Sequence, residues 1–208
     1  MGEAMKLVTE GVKPALIENA AKSLGMPIGP LALLDETTLQ LGYDVMQSTK
    51  KELGDAYQPS GTEDFMELMV IKLGRKGHRF GSAFYDYDEK VERLSLWKGM
   101  AEHYPLAENQ PSVEEVKQRL LYIQLIATAS CFEEGVVGDP QSADLGAIFG
   151  WVFAPYTGGP MSYIDTIGLE NFVRTADGLA QRFGNRFAPP KSFRTMADQH
   201  ETLYKAAA

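Results

Sequence analysis

Apolar residues recur at intervals of three and four along most of the chain, the spacing that places them on one face of a helix. The pattern predicts helices over residues 14–24, 37–53, 65–73, 112–134 and 169–183, and a short one from Ser192 onward. Glycines that can end a helix in the left-handed conformation follow at Gly25, Gly54, Gly74 and Gly184. The sequence therefore predicts an all-α protein.

Two Ser-x-x-Glu patterns mark helix starts, because such a serine and glutamate cap each other's backbone N–H groups. They are Ser60 with Glu63 and Ser112 with Glu115. The long helix after Ser112 is predicted to have one continuous apolar face, formed by Val116, Leu120, Ile123, Ala127 and Cys131. The aromatic run at 84–87 is the exception to the helical pattern and indicates an extended segment.

The same unusual pattern occurs twice in the chain. Its first copy has Glu-Gly-Val at 10–12, an acid at Glu18, Gly-Pro at 29–30 and Leu-Asp at 34–35. Its second copy has Glu-Gly-Val at 134–136, an acid at Asp144, Gly-Pro at 159–160 and Ile-Asp at 164–165. This duplication predicts two related helical subdomains in tandem. A polar stretch with two prolines lies between them and indicates limits of 1–103 and 112–208.

Composition narrows the classes of partner. The 208 residues carry a net charge of −8 and have a pI near 5.0, which argues against nucleic acid and anionic membranes. No run approaches the roughly 20 apolar residues of a membrane span, and we expect no secretory signal. The single cysteine, Cys131, fits a reducing compartment, so a cytoplasmic location is expected. We interpret Cys131 as a small buried apolar residue.

The residues that usually carry catalysis are scattered. His78, His103 and His200 are far apart in sequence and lack the spacing of a metal site. Asp35 and Asp165 take equivalent places in the repeat, and we expect each of them to cap or occupy the first turn of a helix. The sequence thus predicts no catalytic residue and no metal ligand in this chain.

A basic cluster stands out in this acidic chain: Lys72, Arg75, Lys76, His78 and Arg79. One hypothesis is that it contacts the phosphates of a ligand. The alternative, which we favour, is a solvated loop with ion pairs, because exposed charges contribute little. Neighbouring cations would disfavour protonation of His78, so a neutral imidazole is expected. The glycines of this loop have neither the spacing nor the preceding strand of a dinucleotide-binding turn.

The amino-acid sequence of the repeat is specific enough to indicate a family. Residues 10–21 read EGVKPALIENAA, residues 25–36 read GMPIGPLALLDE and residues 84–87 read FYDY. These phrases closely resemble the C-terminal domain of L-3-hydroxyacyl-CoA dehydrogenases. The second copy, with ADLGAIFGW at 143–151 and TGGP at 157–160, is similar to the further C-terminal repeat of the multifunctional fatty-acid oxidation α-subunit. Ala83 departs from the family, which commonly has glycine before Phe-Tyr.

The resemblance implies oxidation of L-3-hydroxyacyl-CoA to 3-ketoacyl-CoA with NAD in fatty-acid β-oxidation. In that family a preceding Rossmann domain binds NAD and supplies the catalytic histidine and glutamate, and an asparagine follows it. We therefore expect a piece of a longer dehydrogenase that needs NAD as a whole, binds no cofactor itself and is inactive alone. Residues 3–10, which read as the end of an uncapped helix, agree with this expectation.

The resemblance also implies a substrate-binding wall, formed by Met26, Pro27, Gly29, Pro30 and Leu31. In this hypothesis Met26 and Leu31 contact the acyl chain or pantetheine, while the glycine and prolines set the backbone. Expected partners are the Rossmann domain of the same protein, the acyl-CoA substrate, a second copy of the chain and a thiolase.

The alternative is a purely structural module for dimerisation or partner binding, with no ligand contact. Its surfaces would be the apolar faces at 116–131 and 169–183 and the aromatic loop with Trp151, Phe153 and Tyr156.

Overall fold

The computed structural model describes residues 1–204. Its contacts divide them into two compact units. Unit 1 comprises Met1–Ala21 and Ile28–Val116, and unit 2 comprises Lys22–Pro27 and residues 117–204. The limits of 1–103 and 112–208 inferred from the sequence stay a prediction, and residues 205–208 lie outside the described part.

The first half of the chain is helical except for one small sheet. Its helices are α1 (Gly2–Thr9), α2 (Pro14–Ser23), α3 (Pro30–Thr37), α4 (Leu39–Leu53), α5 (Glu63–Glu67) and α6 (Met100–His103). A π-helical turn, Leu68–Lys72, continues α5. The strands β1 (Tyr85–Tyr87) and β2 (Arg93–Leu96) pair antiparallel, with Tyr85 opposite Leu96.

The described residues of the second half form helices joined by turns and short irregular segments. It contains α7 (Val113–Glu133), α8 (Pro140–Trp151), α9 (Pro160–Ile167), α10 (Leu169–Phe183) and α11 (Lys191–Asp198). The predicted all-α class is confirmed, and the small sheet contains the aromatic run that was expected to be extended. The predicted helix ends are also confirmed at Gly25, Gly54 and Gly184.

The two predicted capping boxes differ in outcome. Ser112 Oγ accepts the N–H of Glu115 at 3.1 Å, as expected before α7. At the other site the helix begins at Glu63 itself, so Ser60 is not its cap. The Glu63 carboxylate instead accepts the N–H groups of Ser60 and Gly61 at 2.6 and 2.7 Å. Burial raises the pKa of Glu63, but hydrogen bonds from the preceding turn and from Tyr57 outweigh it and lower the pKa to about 2.

Aromatic stacking organises the core of each unit. In unit 1, Phe65 stacks on Phe84 with ring centroids 5.6 Å apart and contacts Tyr104 at 5.5 Å. In unit 2, Phe172 stacks on Tyr122 and meets Phe193 edge-on, each at 5.9 Å. The helices are therefore held by apolar burial rather than by surface charge.

Helix α7 is buried around more of its circumference than the single predicted face. Leu121, Leu125 and Ala129 are buried as well as Val116 and Leu120, whereas Ala127 is exposed and Cys131 is half-buried. The predicted face was wrong at its C-terminal end for this reason.

A buried cation on α7 was not predicted. Arg119 is 1% exposed, and its guanidinium lies 4.2 Å from the centroid of the Phe183 ring in unit 2. A cation over an aromatic face is a favourable contact for this buried charge.

Candidate functional site

A buried glutamate caps helix α3 in unit 1. Glu18 lies on α2 and is 2% exposed. Its Oε1 accepts the backbone N–H of Leu31 at 2.7 Å and of Ala32 at 3.4 Å. Gly29, the residue before α3, supplies no side-chain cap, and a Cβ on it would lie 2.3 Å from Glu18 Oε2. The carboxylate therefore provides the cap that the local sequence lacks.

A tyrosine from β1 completes this arrangement. The hydroxyl of Tyr85 donates to Glu18 Oε2 at 2.8 Å. Burial and the carboxylate of Glu18 raise the pKa of Tyr85 well above its usual value, so its hydroxyl keeps the proton that it donates. We call Glu18 and Tyr85, with the N–H of Leu31, the unit 1 latch.

Asp35 anchors the start of β1. It is fully buried near the end of α3. Its Oδ1 accepts the N–H of Phe84, and its Oδ2 accepts the N–H of Tyr85 and the hydroxyl of Tyr87, each at 2.9 Å. The expected N-terminal helix role is wrong, because this carboxylate serves a strand that begins 50 residues later. Burial raises the pKa of Asp35 to about 6, against the lowering effect of these donors and of Arg93.

Beside Asp35, charged side chains line an open cavity of about 540 Å³. Glu36 is its central acid and pairs with Arg93 at 2.6 Å and with His78 Nδ1 at 2.8 Å. His78 Nε2 donates to the carbonyl of Val91 at 2.9 Å. The side chains of Arg79, Lys90, Glu92 and Tyr87 complete the lining.

The expectation that protonation of His78 is disfavoured is wrong. Both ring nitrogens face acceptors, the Val91 carbonyl and the Glu36 carboxylate, and only the protonated ring can donate to both. The Val91 carbonyl and then Glu36 raise the pKa of His78, although partial burial and Arg93 oppose this. The prediction from the neighbouring cations in the sequence failed because the charge nearest to His78 in the structure is Glu36, an acid on α3.

Most of the basic cluster makes contacts within unit 1. Arg75 donates to the carbonyls of Ala83 and Tyr85 at 2.7 and 3.0 Å, and pairs with Asp86 at 2.6 Å. Its guanidinium lies 4.2 Å from the centroid of the Trp97 ring. Arg75 thus fastens the loop to the sheet, which agrees with the ion-pair interpretation. The hypothesis of phosphate contact by this cluster stays a prediction.

Unit 2 contains a copy of the latch. Asp144 on α8 is 4% exposed and accepts the N–H of Met161 at 2.6 Å and of Ser162 at 3.0 Å. The hydroxyl of Tyr204 donates to it at 2.7 Å. A Cβ on Gly159 would lie 2.4 Å from the side chain of Asp144. We call Asp144 and Tyr204, with the N–H of Met161, the unit 2 latch.

Asp165 copies the role of Asp35. It accepts the N–H groups of Leu203 and Tyr204, each at 2.8 Å, so the expected N-terminal helix role is wrong here too. Tyr204 is therefore the counterpart of Tyr85. The repeat extends to a segment whose sequence shares little more than this tyrosine, so the sequence alone did not predict it.

The five residues of the expected substrate wall differ in accessibility. Met26 is half-buried and Pro27 is exposed, whereas Gly29 and Pro30 are buried and Leu31 is 0% exposed. Direct contact with a ligand is therefore easiest for Met26 and Pro27. Gly29, Pro30 and Leu31 instead form the capped start of α3.

The described part of the chain shows neither a metal-binding cluster nor a membrane-spanning helix. Within residues 1–204, no three His, Cys, Asp or Glu side chains are grouped so that they could hold a metal ion. No helix in the same range is long and apolar enough to cross a membrane. His103 lies against Trp97, and His200 pairs with Glu170.

Comparison with known families relates the first 87 residues to one domain family. Residues 1–87 match the family model of the 3-hydroxyacyl-CoA dehydrogenase C-terminal domain. This stretch belongs to that family. It contains the unit 1 latch, Asp35 and the whole of β1.

Curated relatives extend the similarity over the whole chain. The fatty acid oxidation complex subunit alpha of Shewanella frigidimarina (strain NCIMB 400) is 33% identical over 99% of the chain and 29% of its own length. That of Shewanella amazonensis is 34% identical over 98% of the chain and 29% of its own length. The chain thus spans under a third of these relatives and matches their C-terminal part.

Solved structures share the fold. 3-hydroxybutyryl-CoA dehydrogenase from Escherichia coli matches with a TM-score of 0.70 at 18% identity, over 95% of this chain and 57% of its own. The dehydrogenase part of multifunctional enzyme 1 from C. elegans matches with a TM-score of 0.62 at 19% identity, over 93% and 44%. At these identities the similarity shows the fold alone.

Proposed function

We propose that this chain is the substrate-cleft and assembly part of an enzyme that oxidises L-3-hydroxyacyl-CoA to 3-ketoacyl-CoA with NAD in fatty-acid β-oxidation. The observation that carries the proposal is 33% identity over 99% of the chain to a fatty acid oxidation complex subunit alpha. The two predicted repeats, with limits of 1–103 and 112–208, are part of this proposal, and the matched latches support them.

NAD is assigned to a Rossmann domain outside this sequence, because the residues here do not fit it. The glycine-rich loop at 74–81 leads into β1 through the short turn His78–Phe80. A pyrophosphate site needs glycines followed by a helix N-terminus that directs N–H groups at the phosphates. The hydride transfer is accordingly assigned outside this chain.

The test is NADH formation from L-3-hydroxybutyryl-CoA and NAD, followed by the absorbance of NADH. The protein as the cell makes it, with its nucleotide-binding domain, is expected to turn over, and the 208-residue chain alone is expected not to. Turnover by the isolated chain would contradict the assignment of NAD to another domain. Absence of turnover by the complete protein would overturn the proposed function.

Met26 and Pro27 are proposed to contact the acyl-CoA, and Gly29, Pro30 and Leu31 to set the backbone that follows them. A Met26→Glu substitution places a charge against an apolar ligand and should raise the Michaelis constant for the CoA ester. Met46→Glu on α4 is the matched control, since Met46 is also half-buried but lies outside the proposed wall. An unchanged Michaelis constant in Met26→Glu would exclude this residue from the wall.

Assembly is the second proposed role, and an exposed apolar surface on α8 supports it. Phe149 is 82% exposed and Leu145 is 56% exposed. In the aromatic loop, Tyr156 is 73% exposed while Phe153 belongs to the core. We propose a homo-oligomer or a thiolase complex, in a cytoplasmic enzyme as the single Cys131 favours.

Sedimentation equilibrium with and without the thiolase tests this role. Phe149→Ser should weaken association and leave the melting temperature of the chain unchanged. Association that is equally strong in Phe149→Ser would place the interface elsewhere.

A further inference from the structure

The two latches have a similar construction but serve segments with different proposed roles. In unit 1 the capped segment is Gly29–Leu31 of the proposed substrate wall. In unit 2 the capped segment is the start of α9, to which no ligand role is assigned. We propose that Glu18 and Tyr85 are positioning residues for substrate binding, whereas Asp144 and Tyr204 only stabilise unit 2. The inference rests on the proposed function.

The geometry makes the Glu18 carboxylate the main determinant of where α3 begins. Gly29 and Pro30 contribute no side-chain cap, so the N–H of Leu31 depends on Glu18 Oε1 at 2.7 Å. The close approach at Gly29 leaves no room for another side chain between the two elements. A shift of this carboxylate must therefore move the backbone at 29–31 with it.

Tyr85 fixes the second oxygen of the same carboxylate. Its hydroxyl bonds Oε2 at 2.8 Å while the backbone of the residue is held by Asp35. The Tyr85 ring also lies against the Arg93 guanidinium, 5.0 Å from centroid to Cζ. With one oxygen used by α3 and the other by a strand held at a second point, rotation of the carboxylate is restricted. Removing the hydroxyl releases that restriction and leaves the apolar ring in place.

The Tyr204 hydroxyl provides an internal control that most proteins lack. It also donates to a buried carboxylate, at 2.7 Å, and the backbone of its residue is also held by an aspartate. Tyr85→Phe and Tyr204→Phe therefore each remove one hydroxyl donor from a buried carboxylate. The Asp144 carboxylate also accepts the Ser162 hydroxyl at 2.6 Å and keeps that donor in Tyr204→Phe. If the unit 1 latch is purely structural, the two variants should have the same KM for the CoA ester.

The experiment compares steady-state kinetics of Tyr85→Phe, Tyr204→Phe and Glu18→Gln in the protein that carries the nucleotide-binding domain. Tyr85→Phe and Glu18→Gln should raise KM for L-3-hydroxybutyryl-CoA about three- to tenfold, the ratio expected for one ordinary hydrogen bond. KM for NAD should stay within about twofold, and Tyr204→Phe should leave both constants unchanged. Both tyrosine variants should lower the melting temperature, Tyr204→Phe by the smaller amount because Ser162 still donates to Asp144.

Each outcome bears on one proposal. A rise in KM for both substrates, or equal effects of the two tyrosine variants, would make the unit 1 latch merely structural and overturn the inference. No change of KM in Tyr85→Phe would overturn it as well, while the proposed function would stand. If the wild-type protein does not oxidise the CoA ester, the proposed function fails and this inference fails with it.

Discussion

Asp35 poses a quantitative question, because burial and hydrogen bonding act on its charge in opposite directions. Three donors, two backbone N–H groups and the Tyr87 hydroxyl, favour the carboxylate, while full burial disfavours it. The pKa of Asp35 is raised to about 6 in the folded protein, against 3.8 for an ordinary aspartate, so the effect of burial on the pKa is larger than that of the hydrogen bonds. The substitution Asp35→Asn keeps the shape and removes the ionisation.

A raised pKa in the folded state means that folding favours the protonated acid. The contribution of Asp35 to stability is then fully present below about pH 4 and is lost as the pH rises through about 6. For a shift of this size the loss between pH 4 and pH 7 is roughly 2 to 3 kcal/mol.

At about pH 4 the wild-type aspartic acid is mostly protonated in the folded protein, and the asparagine of the Asp35→Asn variant is neutral at any pH. The introduced side chain directs an NH₂ group at a backbone N–H or at the Tyr87 hydroxyl. That mismatch should cost about 1–3 kcal/mol. At about pH 7 the ionisation of Asp35 offsets this wild-type advantage, so the wild-type protein should be at most about 1 kcal/mol more stable than the variant and at most about 2 kcal/mol less stable.

Urea denaturation of both proteins at about pH 4, 5.5 and 7 measures the difference, from which the titration of all shared groups cancels to first order. Asp165→Asn is the control for losing a carboxylate that accepts two backbone N–H groups, at 2.8 Å each. If Asp35→Asn is more damaging at neutral pH than in acid, the three donors outweigh burial and the reasoning is wrong.

Other predictions concern single sites. Gly29→Ala and Gly159→Ala place a Cβ 2.3 and 2.4 Å from a latch side chain, and each should lower the free energy of unfolding by about 2 kcal/mol or more. The loss should be larger at Gly159, because its φ is 117°. Gly146→Ala, in open space on α8, should instead raise the free energy of unfolding by about 0.5–1 kcal/mol in the same urea titrations. Because the pKa of His78 is raised in the folded protein, the stability advantage of the wild type over His78→Gln should be largest below about pH 6.5 and should fall as the pH rises. An NMR titration midpoint for His78 at or below that value would contradict this. Glu63→Gln should cost about 0.5–2 kcal/mol at neutral pH, and the difference should vanish in thermal melts as the pH falls towards 2, because the folded pKa is lowered.

Local chemistry made the helices predictable. The limits of α10, Leu169–Phe183, match the sequence prediction because apolar periodicity, a polar face and a closing glycine coincide there. The start of α4 was predicted two residues early, since Thr38 has a φ of 65° and separates α3 from α4. β2 was not predicted, because its residues are largely exposed and its partner strand defines it.

The site was less predictable because its acids act at long range. Glu18 and Asp144 look like ordinary charges on helices, and burial of a carboxylate becomes favourable only when distant N–H and hydroxyl donors converge on it. The available signal was the repeat itself, which places an acid at both positions ahead of a Gly-Pro turn. Asp35 and Asp165 also take equivalent places in the repeat. The preference of aspartate for helix N-termini favoured the wrong role for both of them.

Both latches join residues that are distant in sequence. Tyr85 lies 67 residues after Glu18, and Tyr204 lies 60 residues after Asp144. Closing loops of this length is entropically unfavourable, so such contacts are expected to form after the helices have packed. Removing either hydroxyl should therefore speed unfolding and leave the folding rate almost unchanged. During synthesis unit 1 can acquire its latch once Tyr85 has left the ribosome, whereas unit 2 stays without its own until Tyr204 has emerged.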